Sequence, residues 1–126
     1  MAGVYDTPVI FLSGDKAAAE DLHAILPDAE TAVVKEGFAN YSCLTLSAQA
    51  ARDLIRTRAA ASMKLIGQIK PYRVEGPVTF QIEYTTRNAL GVEVRSLPGA
   101  EVLDARTVRF SGKDFLEAWD RAHRSM

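Results

Sequence analysis

The most constraining feature of this chain is a five-residue apolar run, Pro8-Val9-Ile10-Phe11-Leu12, that breaks directly into Ser13-Gly14-Asp15 and three alanines. Successive β-branched and aromatic side chains point to both faces of an extended strand, so the run predicts a central strand buried on both sides. Asp15 can cap a following helix, Ala17, Ala18 and Ala19 favour it, Leu22, Ile25 and Leu26 supply its apolar stripe, and Pro27 stops it. The chain opens with strand, turn and helix. A central strand needs a neighbour on each side, and only Met1-Ala2-Gly3-Val4-Tyr5-Asp6 leads into this one. Further strands from an upstream segment are expected.

The remaining order is strand, long helix, strand, short element, strands and helix. Residues 31–35, centred on Val33 and Val34 and closed by Gly37, form a second strand candidate, whereas residues 38–46 have no decisive pattern. Ser47 is a reasonable N-cap for a helix over residues 47–69, in which Leu54, Ile55 and Ile66 share an apolar side expected to pack on a later strand at residues 78–84. Lys70-Pro71-Tyr72 ends that helix, because a residue before proline is pushed out of the helical region. Val78-Thr79-Phe80-Gln81-Ile82-Glu83-Tyr84 alternates apolar and polar with the period of a half-buried strand. Residues 88–97 are weakly patterned, Pro98-Gly99 makes a turn, and residues 102–110 hold one or two strands interrupted at Asp104-Ala105. Ser111-Gly112-Lys113-Asp114 resembles a capping box, and Phe115, Leu116, Trp119 and Ala122 are expected to face inward from a final helix. The pattern is mixed α/β.

Composition narrows the partners. With 48% hydrophobic and 25% charged residues, 126 in all, the chain has the make-up of one globular domain. A formal net charge of -1 provides no field for nucleic acid or anionic membrane. The single cysteine, Cys43, cannot form an internal disulfide, no signal peptide is legible, and no apolar run approaches the roughly 20 residues of a spanning helix. These features together predict a soluble, cytoplasmic protein.

Each histidine follows an acid by one helical turn: Glu20 precedes His23, and Asp120 precedes His123. Di-metal bundles use such spacing, but they add carboxylates from facing helices, and on solvated helices polar residues at this spacing commonly pair with each other. Ser13-Gly14-Asp15 lies where α/β proteins bind anions, yet a turn and an N-cap account for all three residues. Arg52, Arg56, Arg58 and Lys64 form a cationic side of the long helix with no aromatic residues between them, which is the pattern of a solvated face. Cys43 is expected to be a buried apolar cysteine rather than a nucleophile. No residue is assigned as catalytic, cofactor-binding or metal-ligating.

An ordered set of short blocks carries a resemblance. Pro8-Val9-Ile10-Phe11-Leu12-Ser13-Gly14-Asp15, Val33-Val34-Lys35-Glu36-Gly37 with Tyr41-Ser42, Lys70-Pro71-Tyr72, Gly76-Pro77-Val78, Arg106-Thr107-Val108-Arg109-Phe110 and Lys113-Asp114-Phe115-Leu116-Glu117-Ala118 resemble the later half of the DppA-type D-aminopeptidases. The similarity runs over essentially the whole chain. It implies cytoplasmic zinc peptidases that act on short peptides with an amino-terminal D-residue and assemble as homo-oligomers. The implied fold places residues 1–30 as the last strand and helix of a Rossmann-like layer, and residues 31–126 as a two-layer α/β plait. The family's ligands, an Asp-x-Glu pair, two histidines and a glutamate, precede the segment where this chain starts, so zinc belongs to the full-length family and none is expected on this chain. His23 and His123 fall outside those motifs. Two functions follow from the sequence: the carboxyl-terminal portion of a peptidase, inactive alone, or a free-standing non-catalytic module for self-association or for binding a full-length paralogue. An anion-binding protein using Ser13-Gly14-Asp15 is a third, with least support.

Overall fold

A computed structural model describes residues 1–39, 41–86 and 91–123. The fold is mixed α/β, with two three-stranded sheets in two compact units, one of residues 2–72 and one of residues 73–126.

In the unit of residues 2–72, β1 (Phe11–Asp15) leads through α1 (Lys16–Ile25) to β2 (Glu30–Ala39), and β1 pairs with β2 in parallel from Phe11↔Glu30 to Asp15↔Lys35. The Ala18 amide donates to Asp15 Oδ1 at 3.1 Å, so the expected cap forms. The strand starts later than the apolar run and takes in Ser13 and Gly14, which the sequence had suggested as a turn. Phe11 and Leu12 are half-buried, and β1 is an edge strand with β2 as its partner. Beyond Lys35 the neighbour of β2 changes: β3 (Ser42–Thr45) pairs antiparallel with it through Lys35↔Thr45, Glu36↔Leu44 and Gly37↔Cys43. Gly37 therefore lies within β2 instead of closing it.

Ser47 caps α2 (Ala48–Ser62), its Oγ accepting from the Ala50 amide at 3.3 Å. The helix gives way to a 3-10 turn at Met63–Leu65 and ends earlier than the sequence suggested. Within the unit of residues 2–72 its partner is β2, with a smaller contact to β1, where periodicity had pointed to a later strand. Leu54 and Ile55 are half-buried on that side, whereas Ile66, beyond the helix end, is exposed.

The unit of residues 73–126 contains β4 (Val78–Glu83), the short α3 (Val92–Arg95), β5 (Ala100–Val102), β6 (Thr107–Gly112) and α4 (Phe115–His123). The strands order β4-β6-β5, antiparallel throughout, with Phe80 opposite Phe110 and Ile82 opposite Val108. Gly99 adopts φ +83°, which supports the turn that Pro98-Gly99 predicts. Residues 88–90 of the weakly patterned stretch lie outside the described residues.

α4 covers β6 and, to a lesser extent, β4. Val108 and Phe110 are fully buried, and each such side chain is worth roughly 1.5–3 kcal/mol in burial. Phe115, Ala118, Trp119 and Ala122 recur at the spacing of one helix face, but Leu116 falls off it and is 40% exposed while Ala118 is 0% exposed. The inward position expected for Leu116 belongs to Ala118. Phe80 meets Phe115 and Trp119 edge-on at ring separations of 5.4 and 5.7 Å.

Candidate functional site

The two acid–histidine pairs sit on different helices in different units. On α1, His23 Nε2 lies 2.9 Å from the Ala29 carbonyl, tying the end of the helix to the start of β2. On α4, His123 Nδ1 lies 2.9 Å from the Trp119 carbonyl, and its ring stacks on Trp119 with centroids 3.7 Å apart. Each histidine is thus engaged by its own unit. Among the described residues, no three His, Cys, Asp or Glu side chains converge as a metal-binding group.

A polar groove of about 380 Å³ runs past His23, Asp28, Glu30, Thr31 and Arg58. Arg58 pairs with Glu30 at 3.2 Å, so the largest cation in this groove already has its counter-ion. At the other end of α1, Asp15 occupies the first-turn donor that a bound anion would use. Lys16 Nζ sits 2.8 Å from Glu36 Oε1, and the hydrogen bond and charge of Glu36 raise the Lys16 ammonium above its ordinary range. Neither place presents a nucleophile beside a base.

Arg56 pairs with Asp53 at 3.1 Å and Arg52 donates to Gln49 at 3.2 Å, so much of the cationic side of α2 is tied along its own helix. Lys64 is exposed on the following turn. Cys43 is exposed, contrary to the expected burial, because all four residues of β3 are exposed and the strand forms the edge of its sheet.

An apolar groove of about 280 Å³ lies along the β2–β3 hairpin, lined by Val33, Val34, Leu44 and Leu46 with Lys35, Glu36 and Thr45 at its polar margin. Phe38 and Tyr41, near the hairpin end, are 67% and 102% exposed. Periodicity singled out Val33 and Val34 as a strand but not Phe38, Tyr41, Leu44 or Leu46, because residues 38–46 show no alternation. The signal present was the density of large apolar side chains in a segment with no stripe to bury them.

A profile of the D-aminopeptidase family (peptidase M55) matches residues 1–123. The D-aminopeptidase of Bacillus subtilis (strain 168) is 29% identical over 120 residues, 94% of this chain and 43% of that protein. A solved structure, the Zn-dependent D-aminopeptidase DppA from Bacillus subtilis, described as a self-compartmentalizing protease, matches with TM-score 0.82 and 29% identity over 95% of this chain and 44% of that one. The chain corresponds to the carboxyl-terminal part of these relatives and spans less than half their length.

Proposed function

Because the chain belongs to the D-aminopeptidase family, we propose that it serves as the carboxyl-terminal part of a zinc-dependent, cytoplasmic, self-associating peptidase that removes amino-terminal D-residues from short peptides. The carrying observation is the match over residues 1–123 together with a TM-score of 0.82 to 44% of a Zn-dependent relative. In this reading residues 1–30 complete the Rossmann-like layer and residues 31–126 form the plait.

The described residues do not fit the ion. A catalytic zinc takes about three protein ligands and keeps one open position, and their orientation depends on a further shell of partners. His23 and His123 are each held against a backbone carbonyl of their own unit, with no third donor converging among the described residues. The ion and its chemistry are assigned to residues that this chain does not contain. Its own contribution is the sheet and helix framework.

The test is metal analysis after dialysis and turnover of a D-alanyl chromogenic substrate in added zinc, for this chain alone and joined to the preceding part of a family member. The chain alone should hold no stoichiometric zinc and show no turnover, and the joined protein should show both. One zinc per chain, lost with activity on His23→Ala or His123→Ala, would overturn the reading. A joined protein that folds but stays inactive would favour the free-standing module.

A further inference from the structure

We propose that Gly3 is a positioning residue for the peptidase: it seats the entering chain on the backbone of Tyr72 and so fixes how the preceding, ion-holding part meets this one, an inference resting on the peptidase proposed above. Residues 2–7 form a closed turn rather than a loose lead into β1. Ala2–Tyr5 is a 3-10 helix, the Asp6 amide donates to the Gly3 carbonyl and the Thr7 amide to the Ala2 carbonyl, both at 3.2 Å, and the Thr7 hydroxyl donates to the Tyr5 carbonyl at 3.2 Å. Asp6 turns the chain at φ +55°, in the left-handed region, where a residue other than glycine stays only when its surroundings hold it.

Gly3 is buried, and a methyl group built on it would overlap the carbonyl oxygen and carbon of Tyr72. The contact is backbone against backbone, so no side chain can swing aside to make room. Pro71 fixes its own φ and stiffens the approach to Tyr72, whose side chain is 54% exposed, so the carbonyl and not the ring is what the contact holds. Gly3 and Tyr72 stand at the two ends of the same compact unit, residues 2–72. The chain enters and leaves that unit at one point.

The matched part of the relatives is their carboxyl-terminal part. The ion-holding part of the proposed peptidase therefore enters through Met1 and Ala2, directly before the contact, and the seat of Gly3 on Tyr72 sets the direction in which it joins. A side chain at residue 3 would force one of the two backbones to move by about 1 Å or more, and a displacement of that size, even far from the chemistry, can cost about 100-fold in rate.

The protein joined to the preceding part of a family member reads the effect. Gly3→Ala should lower kcat/KM by about 100-fold, mostly in kcat, with zinc content unchanged. Gly91→Ala, whose added carbon meets nothing within 4 Å, should leave turnover as it is. Two glycines inserted between the preceding part and Ala2 keep the seat of Gly3 intact but uncouple that part from it. The insertion should lower kcat by a similar factor, and Gly3→Ala in the inserted protein should add less than about 3-fold, because both changes break one link. A loss caused by destabilisation would instead multiply in the two backgrounds. In this chain alone, trypsin should cleave after Arg73 faster in Gly3→Ala than in the native chain, since Tyr72 is then released and the bond after Lys70, followed by proline, resists the enzyme. Full turnover after the insertion, losses that multiply, or equal cleavage after Arg73 in the two chains overturns the proposal. If Gly3→Ala does not fold, the insertion alone decides. A joined native protein with neither zinc nor turnover overturns the peptidase reading and this inference with it, whereas an active one indifferent to residue 3 and to the insertion overturns this inference alone.

Discussion

Gly112 at the end of β6 packs so closely under α4 that a methyl group on it would overlap the backbone amide of Ala118. Ala118 is fully buried, and the helix backbone there cannot withdraw without opening the contact with Val108 and Phe110. Gly112→Ala should therefore destabilise the protein by about 3 kcal/mol, in the upper range for overpacking. Gly14→Ala is the control, because nothing lies within 4 Å of its added carbon, and its effect should stay within about 0.5 kcal/mol. Urea unfolding of the two variants checks this. Equal midpoints would show that α4 yields freely.

The face of α4 is checked by Trp119 and Leu116. Trp119 packs on Phe80 and Phe115 and stacks on His123, so Trp119→Ala should cost about 3 kcal/mol. Leu116→Ala should cost less than about 1 kcal/mol, since its side chain is already 40% exposed. Reversed magnitudes would restore Leu116 to the core.

Along α2, Ile55 is half-buried on the side facing β2 and β1, and Arg56 is exposed. Ile55→Ala should cost about 2 kcal/mol, the low end for a buried aliphatic truncation, and Arg56→Ala no more than about 0.5 kcal/mol despite its ion pair with Asp53. Thermal unfolding of both variants should separate them clearly.

Two exposed charges give opposite pH signatures. Asp104 accepts from the Arg106 amide at 2.7 Å in the turn between β5 and β6, and this bond above all lowers its pKa below the ordinary 3.8. A carboxyl lowered on folding stabilises the native state above 3.8 and loses that contribution as pH falls through its lowered value. Lys16 is raised above 10.5 by Glu36, so its contribution is complete below 10.5 and is lost as pH rises through the raised value. The stability gap between native protein and Asp104→Ala should close only in acid, and that for Lys16→Ala only in strong base. Urea midpoints across pH measure both gaps. A gap for Asp104→Ala that persists unchanged in strong acid would refute the assigned hydrogen bond.

Local chemistry is legible in the residues themselves. Asp15 and Ser47 cap α1 and α2 because a side-chain oxygen reaching an amide three residues on is settled within one turn. The alternation from Val78 to Glu83 marks β4 for the same reason, since its period is a property of the strand itself. The ordered blocks from Pro8 to Ala118 carry the family, whose profile spans residues 1–123. Tertiary structure alone decided which elements meet. α2 lies on β2 in the sheet of its own unit, while α4 lies mainly on β6 and reaches β4 by bringing Phe115 and Trp119 to Phe80. Ala118 displaces Leu116 from the core because Gly112 lets the helix approach at that residue. Cys43 is exposed because the partner of β2 changes at Lys35 and leaves β3 at the edge. An acid and a histidine one turn apart look the same on any helix, and only the fold determines that His23 meets Ala29 and His123 meets Trp119, because convergence depends on chain paths that residue spacing does not encode.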